Sequence, residues 1–391
     1  MKTRQTYGDG TVYQETPDKW TAKISLGHTP DGKPLTKRFS AKTKAEAERK
    51  LRDYKKSLTR AEKPSTVHYT VAAYFDFWLK TYQYQKLKPL SFDRLESTVR
   101  NHILPGLGQK KFDQVTQEDV QRLINFLHRQ RGLSYSSVKK VYNALDACYR
   151  HAVIAGILTR NPCLGVVLPA ASEGTKQVLS LSAAEVDVLK KELSRTDENG
   201  KPLYHYAHAY LLILNTGLRM GEALSLQWQD VDFTANTLTV NKTSILARNR
   251  DETGNLAGGY RLETQHSTKT ASGHRTIPLN QSARHALAAL RVGNDSTHVI
   301  TNARGGAALA ANFERSFQLM LSNAGLPRYG IHSLRHTFAS LLFAAGVDIK
   351  VISKLLGHAS VKITYDTYVH LFQEDYRGAT EVLDSRMDTS F

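Results

Sequence analysis

Apolar positions recur along this chain with more than one rhythm. In residues 11–14, 20–26 and 35–39 the runs are short, β-prone and partly alternating, which predicts strands. Between the last two lies His28-Thr29-Pro30-Asp31-Gly32-Lys33, whose Asp-Gly pair is a hairpin-turn signal. Ser40 then reads as the cap of a helix over 43–60. Glu62-Lys63-Pro64-Ser65 breaks the pattern as a linker.

From residue 67 to about 165 the rhythm is helical throughout. Val71, Tyr74, Phe75 and Trp78 form one apolar stripe. A helix over 91–103 is expected to break at Pro105-Gly106. Thr116-Gln117-Glu118-Asp119 starts another, with Val120, Leu123, Ile124 and Leu127 facing inward. A further helix over 134–155 carries Lys139, Lys140, Arg150 and His151 as candidates for phosphate contact. Asn161-Pro162 stops the pattern, and 164–178 reads as a second linker. Residues 179–391 read as a larger domain, mostly helical, with a small antiparallel sheet around 238–245, 260–265 and 274–279. The predicted fold class is therefore multidomain and mainly α with small β-sheets.

Charge sharpens this picture. The 391 residues carry 53 Lys and Arg against 36 Asp and Glu, a formal net charge of +17, which points to a polyanionic partner without choosing DNA, RNA or an acidic membrane surface. Residues 1–62 alone hold 15 Lys and Arg against 8 Asp and Glu. A basic sheet with Trp20 at its edge and Lys37 and Arg38 on it makes DNA contact the favoured reading of that excess. No apolar run follows the first residues as in a signal peptide, and none reaches the ~18 residues that suggest a membrane helix. The two cysteines, Cys148 and Cys163, read as reduced thiols in a cytoplasmic protein.

Four local patterns in the last domain carry chemistry. The first is Thr216-Gly217-Leu218-Arg219-Met220-Gly221-Glu222, an arginine beside glycines at a helix start with an acid three residues on. The second is Thr268-Lys269-Thr270 followed by His274-Arg275-Thr276-Ile277-Pro278-Leu279, a lysine between two strand-like runs. The third is His332-Ser333-Leu334-Arg335-His336, on a helix reaching about Ala345. The fourth is Leu356-Gly357-His358 with Tyr368 ten residues after the histidine. Each is common alone; their order is not.

Together these patterns resemble the tyrosine recombinase (phage integrase) family, in particular integrases of Gram-positive phages and conjugative transposons, and the resemblance covers nearly the whole chain. It implies an arm-type DNA-binding domain at 1–62, a helical core-type DNA-binding domain at 67–165 and a catalytic domain at 179–391. By residue, it implies Arg219 and Arg335 as guanidinium forks on the scissile phosphate. Tyr368 is the implied nucleophile forming a 3′-phosphotyrosyl bond, with Lys269 the acid for the leaving 5′ oxygen. His332 is implied in proton transfer with the tyrosine hydroxyl, His358 in a phosphate contact, and Glu222 in support. Arg275 is expected to contact DNA or brace the hairpin, while His336 and His370 are expected to be structural. Tyr365 is the rival nucleophile and Lys242 the rival lysine. The resemblance further implies a homotetramer on two duplexes, with room for an excisionase and a DNA-bending host protein.

Look-alike motifs fall short. Gly27 to Lys33 has phosphate-loop spacing, but Pro34 stands where a magnesium-binding hydroxyl belongs. His332 and His336 have zinc-protease spacing, but Ser333 replaces the glutamate. No metal and no cofactor are expected. Rival functions are a resolvase or invertase with the same active site, which the basic module at 1–62 argues against, and a catalytically silent DNA-binding regulator, which the filled motif positions argue against. A type IB topoisomerase would share the chemistry but not this domain order. The tail over 372–387 has helix-like apolar positions suited to docking on this or a neighbouring subunit.

Overall fold

The computed structural model describes residues 10–28, 34–60, 69–170, 180–265 and 273–368. The chain divides into two compact units, one of residues 1–86 and 94–171 and one of 87–93 and 172–391.

The first unit opens with an antiparallel sheet in the order β1-β2-β3, of β1 (Thr11–Thr16), β2 (Lys19–His28) and β3 (Pro34–Ala41), followed by α1 (Lys44–Arg60). Alternation decides the faces. Ala22, Ile24 and Ala41 pack with Ala47 and Leu51 of α1, while the register puts Thr11, Lys23 and Arg38 in one cross-strand row on the opposite face. Two expectations need correction. Trp20 lies on the central strand, packed against the core beneath the Lys44 ammonium, rather than at the sheet edge. Ser40 does not cap α1: it is still paired in β3 opposite Thr21, and Thr43 caps instead, its Oγ1 accepting from the Glu46 amide at 3.3 Å.

The rest of this unit is helical, with α2 (Val71–Trp78), the part of α3 (Pro89–Thr98) from residue 94 on, α4 (Leu104–Leu107), α5 (Gln117–Arg129) and α6 (Tyr135–Ile154). The stripe Val71, Tyr74, Phe75, Trp78 is buried, and Tyr74, Phe112 and Tyr149 stack at 4.1 and 4.4 Å. Thr116 and Asp119 form a reciprocal cap at the start of α5, and its four expected inward residues are buried. Pro105 does not end the preceding helix. Residues Val99–Ile103 form a widened π turn, so the proline falls in the first turn of α4, where its missing N–H costs nothing. Cys148 and Cys163 are free and buried, with burial pushing the Cys163 thiol up to about 12.

The second unit contains α7 (Ala183–Leu193), α8 (Ala207–Thr216), α9 (Met220–Ser225), β4 (Val231–Asp232), β5 (Thr237–Val240), β6 (Thr243–Arg250), β7 (Leu256–Gln265), β8 (Arg275–Pro278), α10 (Gln281–Arg291), α11 (Ala310–Asn323), α12 (His332–Ala344), α13 (Ile349–Leu356) and α14 (Val361–Tyr368). Helix α8 is apolar nearly all round and lies in the main core with residues of α7, α10, α11 and α12. The single expected sheet is in fact two: β4-β5-β8, and a separate ribbon of β6 and β7. The chain changes sheet at Asn241-Lys242, where the Lys242 side chain is drawn into a buried ion pair with Asp230. Among the described residues, no helix is long and apolar enough to cross a membrane.

Candidate active site

Helix α8 ends on Gly217 with φ of 63°, a left-handed turn, and a Cβ there would meet the Phe338 ring at 2.5 Å. That turn delivers Arg219 to the position preceding α9. Gly221 is needed for a different reason: its Cβ would strike Thr243 Oγ1 at 2.5 Å, so its absence lets α9 approach β6. Glu222, three residues after Arg219, accepts from the Arg219 amide at 2.9 Å and from its Nη1 at 2.8 Å.

Helix α13 supplies the other half. Every α-helix leaves its last carbonyls without an intrahelical partner, and they form its negative pole. Here Ser353 and Lys354 carbonyls are met by the His358 and Gly357 amides in the closing turn. The next three are each met by a different arginine: Leu355 by Arg275 Nε at 2.6 Å, Leu356 by Arg335 Nη2 at 2.6 Å and Gly357 by Arg219 Nη2 at 3.3 Å. Arg335 also donates to the Gly217 carbonyl at 2.7 Å. One helix end therefore gathers three guanidinium groups that repulsion would otherwise scatter.

Their charge is only partly neutralised. Glu222 pairs with Arg219 at 2.8 Å and with Arg275 at 2.8 Å, while Arg335, 1% exposed, has only carbonyl partners among the described residues. Burial by itself would raise the Glu222 carboxyl, but the hydrogen bonds and charge of Arg275, with the charge of Arg219, hold it down at about 2. Burial and then the neighbouring Arg219 push Arg335 down to about 9, still protonated at neutral pH. Guanidinium groups gathered with so little counter-charge have the chemistry to receive an anion.

Histidines and a tyrosine border it. His332 and His336 sit one turn apart on α12, ring centroids 4.8 Å apart, and His358 Nδ1 pairs with Thr364 Oγ1 at 2.8 Å. Burial first, then nearby arginines, lowers His332 and holds His358 down at about 4. Tyr368 is 3% exposed, set among Phe338, Ala339, Ile352 and Leu356, and burial raises its hydroxyl to about 12 against the opposing charge of Arg335. The rival Tyr365 is 48% exposed.

The structure thus brings Arg219, Glu222, His332, Arg335, His358 and Tyr368 together through shared partners. Lys269 and His370 lie outside the described residues, as does the 372–387 tail. The rival Lys242 is 4% exposed, bound to Asp230 at 2.7 Å and Gln227 at 2.9 Å, and so is committed to the fold. Of the two roles expected for Arg275, contact with DNA or bracing of the hairpin, the geometry matches bracing: it is 8% exposed and both η nitrogens serve Glu222. Other expectations change. The hydroxyl of Tyr368 pairs with His336 Nδ1 at 2.8 Å, not with His332, because one helical turn carries His336 toward α14. Among the outer candidates, Lys139 and Lys140 are exposed, but Arg150 is tied to Asp146, and His151 bonds Tyr74 at 3.3 Å and packs on Tyr82. Sequence reasoning took His336 as structural and missed both its bond to Tyr368 and the three carbonyls; the sequence signal for that bond was its place four residues after His332.

Comparison with known proteins gives a consistent picture. Residues 180–375 match the phage integrase family, and residues 70–128 match the family described as phage integrase, N-terminal SAM-like domain. A tyrosine recombinase XerC-like protein of Caldanaerobacter subterraneus subsp. tengcongensis is 29% identical over 381 residues, covering 92% of this chain and 94% of that one. The fold resembles the Tn1549 transposon integrase solved in complex with a circular intermediate DNA, at a TM-score of 0.63 and 21% identity over 81% of this chain and 99% of that one. It also resembles lambda integrase, solved as a tetramer bound to a Holliday junction, at a TM-score of 0.55 and 18% identity over 89% of this chain and 95% of that one.

Proposed function

The chain belongs to the phage integrase family of tyrosine recombinases, and on that premise we propose that it cleaves and rejoins DNA at specific sites to integrate and excise a phage or other mobile element. The observation that carries the reading is the cluster of three arginines with one carboxylate beside a buried tyrosine.

A scissile phosphate seated on Arg219 and Arg335 gains charge on its non-bridging oxygens as Tyr368 attacks. Preorganised donors aimed at that charge are worth roughly 10²–10³ in rate each. The phosphotyrosyl ester keeps the energy of the broken bond, so rejoining needs no nucleotide cofactor. Lys269, from the segment between β7 and β8, is assigned the protonation of the leaving 5′ oxygen, and His358 a contact to the phosphate. Glu222 and Arg275 act by positioning Arg219.

Residues 1–62, 67–165 and 179–391 serve as arm-binding, core-binding and catalytic domains. Arg38, on the sheet face away from α1, and Lys139 and Lys140, exposed on α6, are assigned to phosphate contacts. Four copies act on two duplexes in the cytoplasm at the nucleoid, with an excisionase and a bending protein setting direction. The test is incubation of the chain, without divalent metal, with nicked duplexes tiled across the DNA flanking its coding sequence. A covalent protein–DNA band is expected for wild type and Tyr365→Phe and not for Tyr368→Phe. Cleavage that requires Mg²⁺, or an adduct retained by Tyr368→Phe, contradicts the proposal.

A further inference from the structure

We infer that His336 is a catalytic base for this reaction: its Nδ1, 2.8 Å from the Tyr368 hydroxyl, takes the phenolic proton as the tyrosine attacks and returns it on rejoining. The inference rests on the assignment of Tyr368 as nucleophile.

A phenol held protonated up to about 12 is a poor nucleophile at neutral pH, so a partner that removes the proton during attack is worth having. The ring in contact with that hydroxyl belongs to His336. Its own titration lies near 4, lowered by burial first and then by His332 and Arg335, so at neutral pH it is uncharged. A neutral imidazole with its proton on Nε2 offers Nδ1 as acceptor, and the phenol then donates.

Among the described residues, the groups facing His336 are His332 and Arg335 on its own helix, Tyr368 from α14, and His358 from the turn after α13, with no carboxylate among them. At rest these cationic or neutral surroundings keep the base weak. A phosphate anion seated on Arg219 and Arg335 offsets that positive field and raises the basicity of His336, so the tyrosine is activated when DNA is in place. In the step itself, the Tyr368 oxygen–phosphorus bond forms and the phosphorus–O5′ bond breaks. The phenolic proton goes to His336 Nδ1, and the leaving oxygen takes a separate proton from the acid assigned to Lys269. Rejoining runs the same transfers in reverse.

The test is single-turnover cleavage of the nicked duplex that gives the adduct, at pH 6 to 9.5, by wild type, His336→Leu, His336→Asn and Tyr368→Phe. Gel-shift binding and thermal melting establish that each variant is folded. With His336→Leu, cleavage at pH 7 is expected to fall by about 10²-fold. Its logarithm should then climb with pH at a slope near one, because the proton must be lost to solvent, while wild type stays flat. Asparagine keeps a hydrogen-bond acceptor near the Nδ1 position but takes no proton, so His336→Asn should be faster than His336→Leu and rise with the same slope.

A duplex with sulfur at the bridging 5′ position, whose leaving thiolate needs no proton, should rescue Lys269→Ala and leave His336→Leu slow. Wild-type rate in a folded His336→Leu, or a slow variant with a flat profile, overturns the role of His336. An adduct formed by Tyr368→Phe overturns instead the assignment of the nucleophile.

Discussion

Lys242 and Arg335 are both long cations buried in the second unit, 4% and 1% exposed, yet they are satisfied in opposite ways. Lys242 meets a full negative charge, Asp230 at 2.7 Å, and the Gln227 amide oxygen, so nothing is left to offer a ligand. Among the described residues, Arg335 meets only two carbonyl dipoles, one of them at the negative end of α13, and its neighbours Arg219 and Arg275 share a single carboxylate. A closed ion pair serves the fold, whereas dipoles fix a guanidinium in place without cancelling its charge. Burial of a cation therefore says little about function until its compensation is counted.

The largest effect that separates the two groups is on chemistry. Arg335→Ala should slow cleavage by roughly 10²–10³ through loss of a preorganised donor, measured as single-turnover adduct formation. It should also cost stability, since the Gly217 and Leu356 carbonyls lose their partner.

Glu222→Gln and Asp230→Asn form the matched pair. Each leaves buried cations without their counter-charge, which costs about 3 kcal/mol or more, read from denaturant melts. Glu222→Gln should also slow cleavage by loosening Arg219, whereas Asp230→Asn should leave cleavage per folded molecule near wild type. Equal catalytic loss in both would erase the distinction.

Acid sharpens it further. His336 and His358, held near 4, bind protons more weakly folded than unfolded, so the unfolded chain takes up protons first as pH falls below 6.5. Their contribution to stability is full above pH 6.5 and is lost from there toward 4, and Glu222, depressed to about 2, adds loss only below about 4.5. Thermal melts of the full chain should show this staged decline, with His336→Leu removing part of the first stage.

The smallest effects lie outside the cluster. Arg38→Ala or Lys140→Ala should weaken DNA binding alike across sequences and lower the salt slope by about 1, measured by titration in increasing salt.

Local signals carried far in this sequence. The stripe from Val71 to Trp78, the cap at Thr116 and the turn into Arg219 depend on neighbours within a few residues, and all were readable. What stayed hidden depends on distant chain. Nothing near Arg275 announces that Glu222, 53 positions earlier, will claim it, or that the Leu355 carbonyl will anchor its other end. The partnership of His336 with Tyr368 spans 32 residues and two helices. Even Pro105, a strong local breaker, was overridden by the π turn before it, and strand pairing held Ser40 away from its expected cap.

The most direct test of the account is to digest the protein–DNA adduct and locate the attached nucleotide by mass spectrometry. A 3′-linked nucleotide on Tyr368 is the expected result, placing the reacting phosphorus beside Arg219 and Arg335. Attachment at Tyr365 or any other residue would mean that the buried tyrosine and its arginine cluster are not the reacting centre.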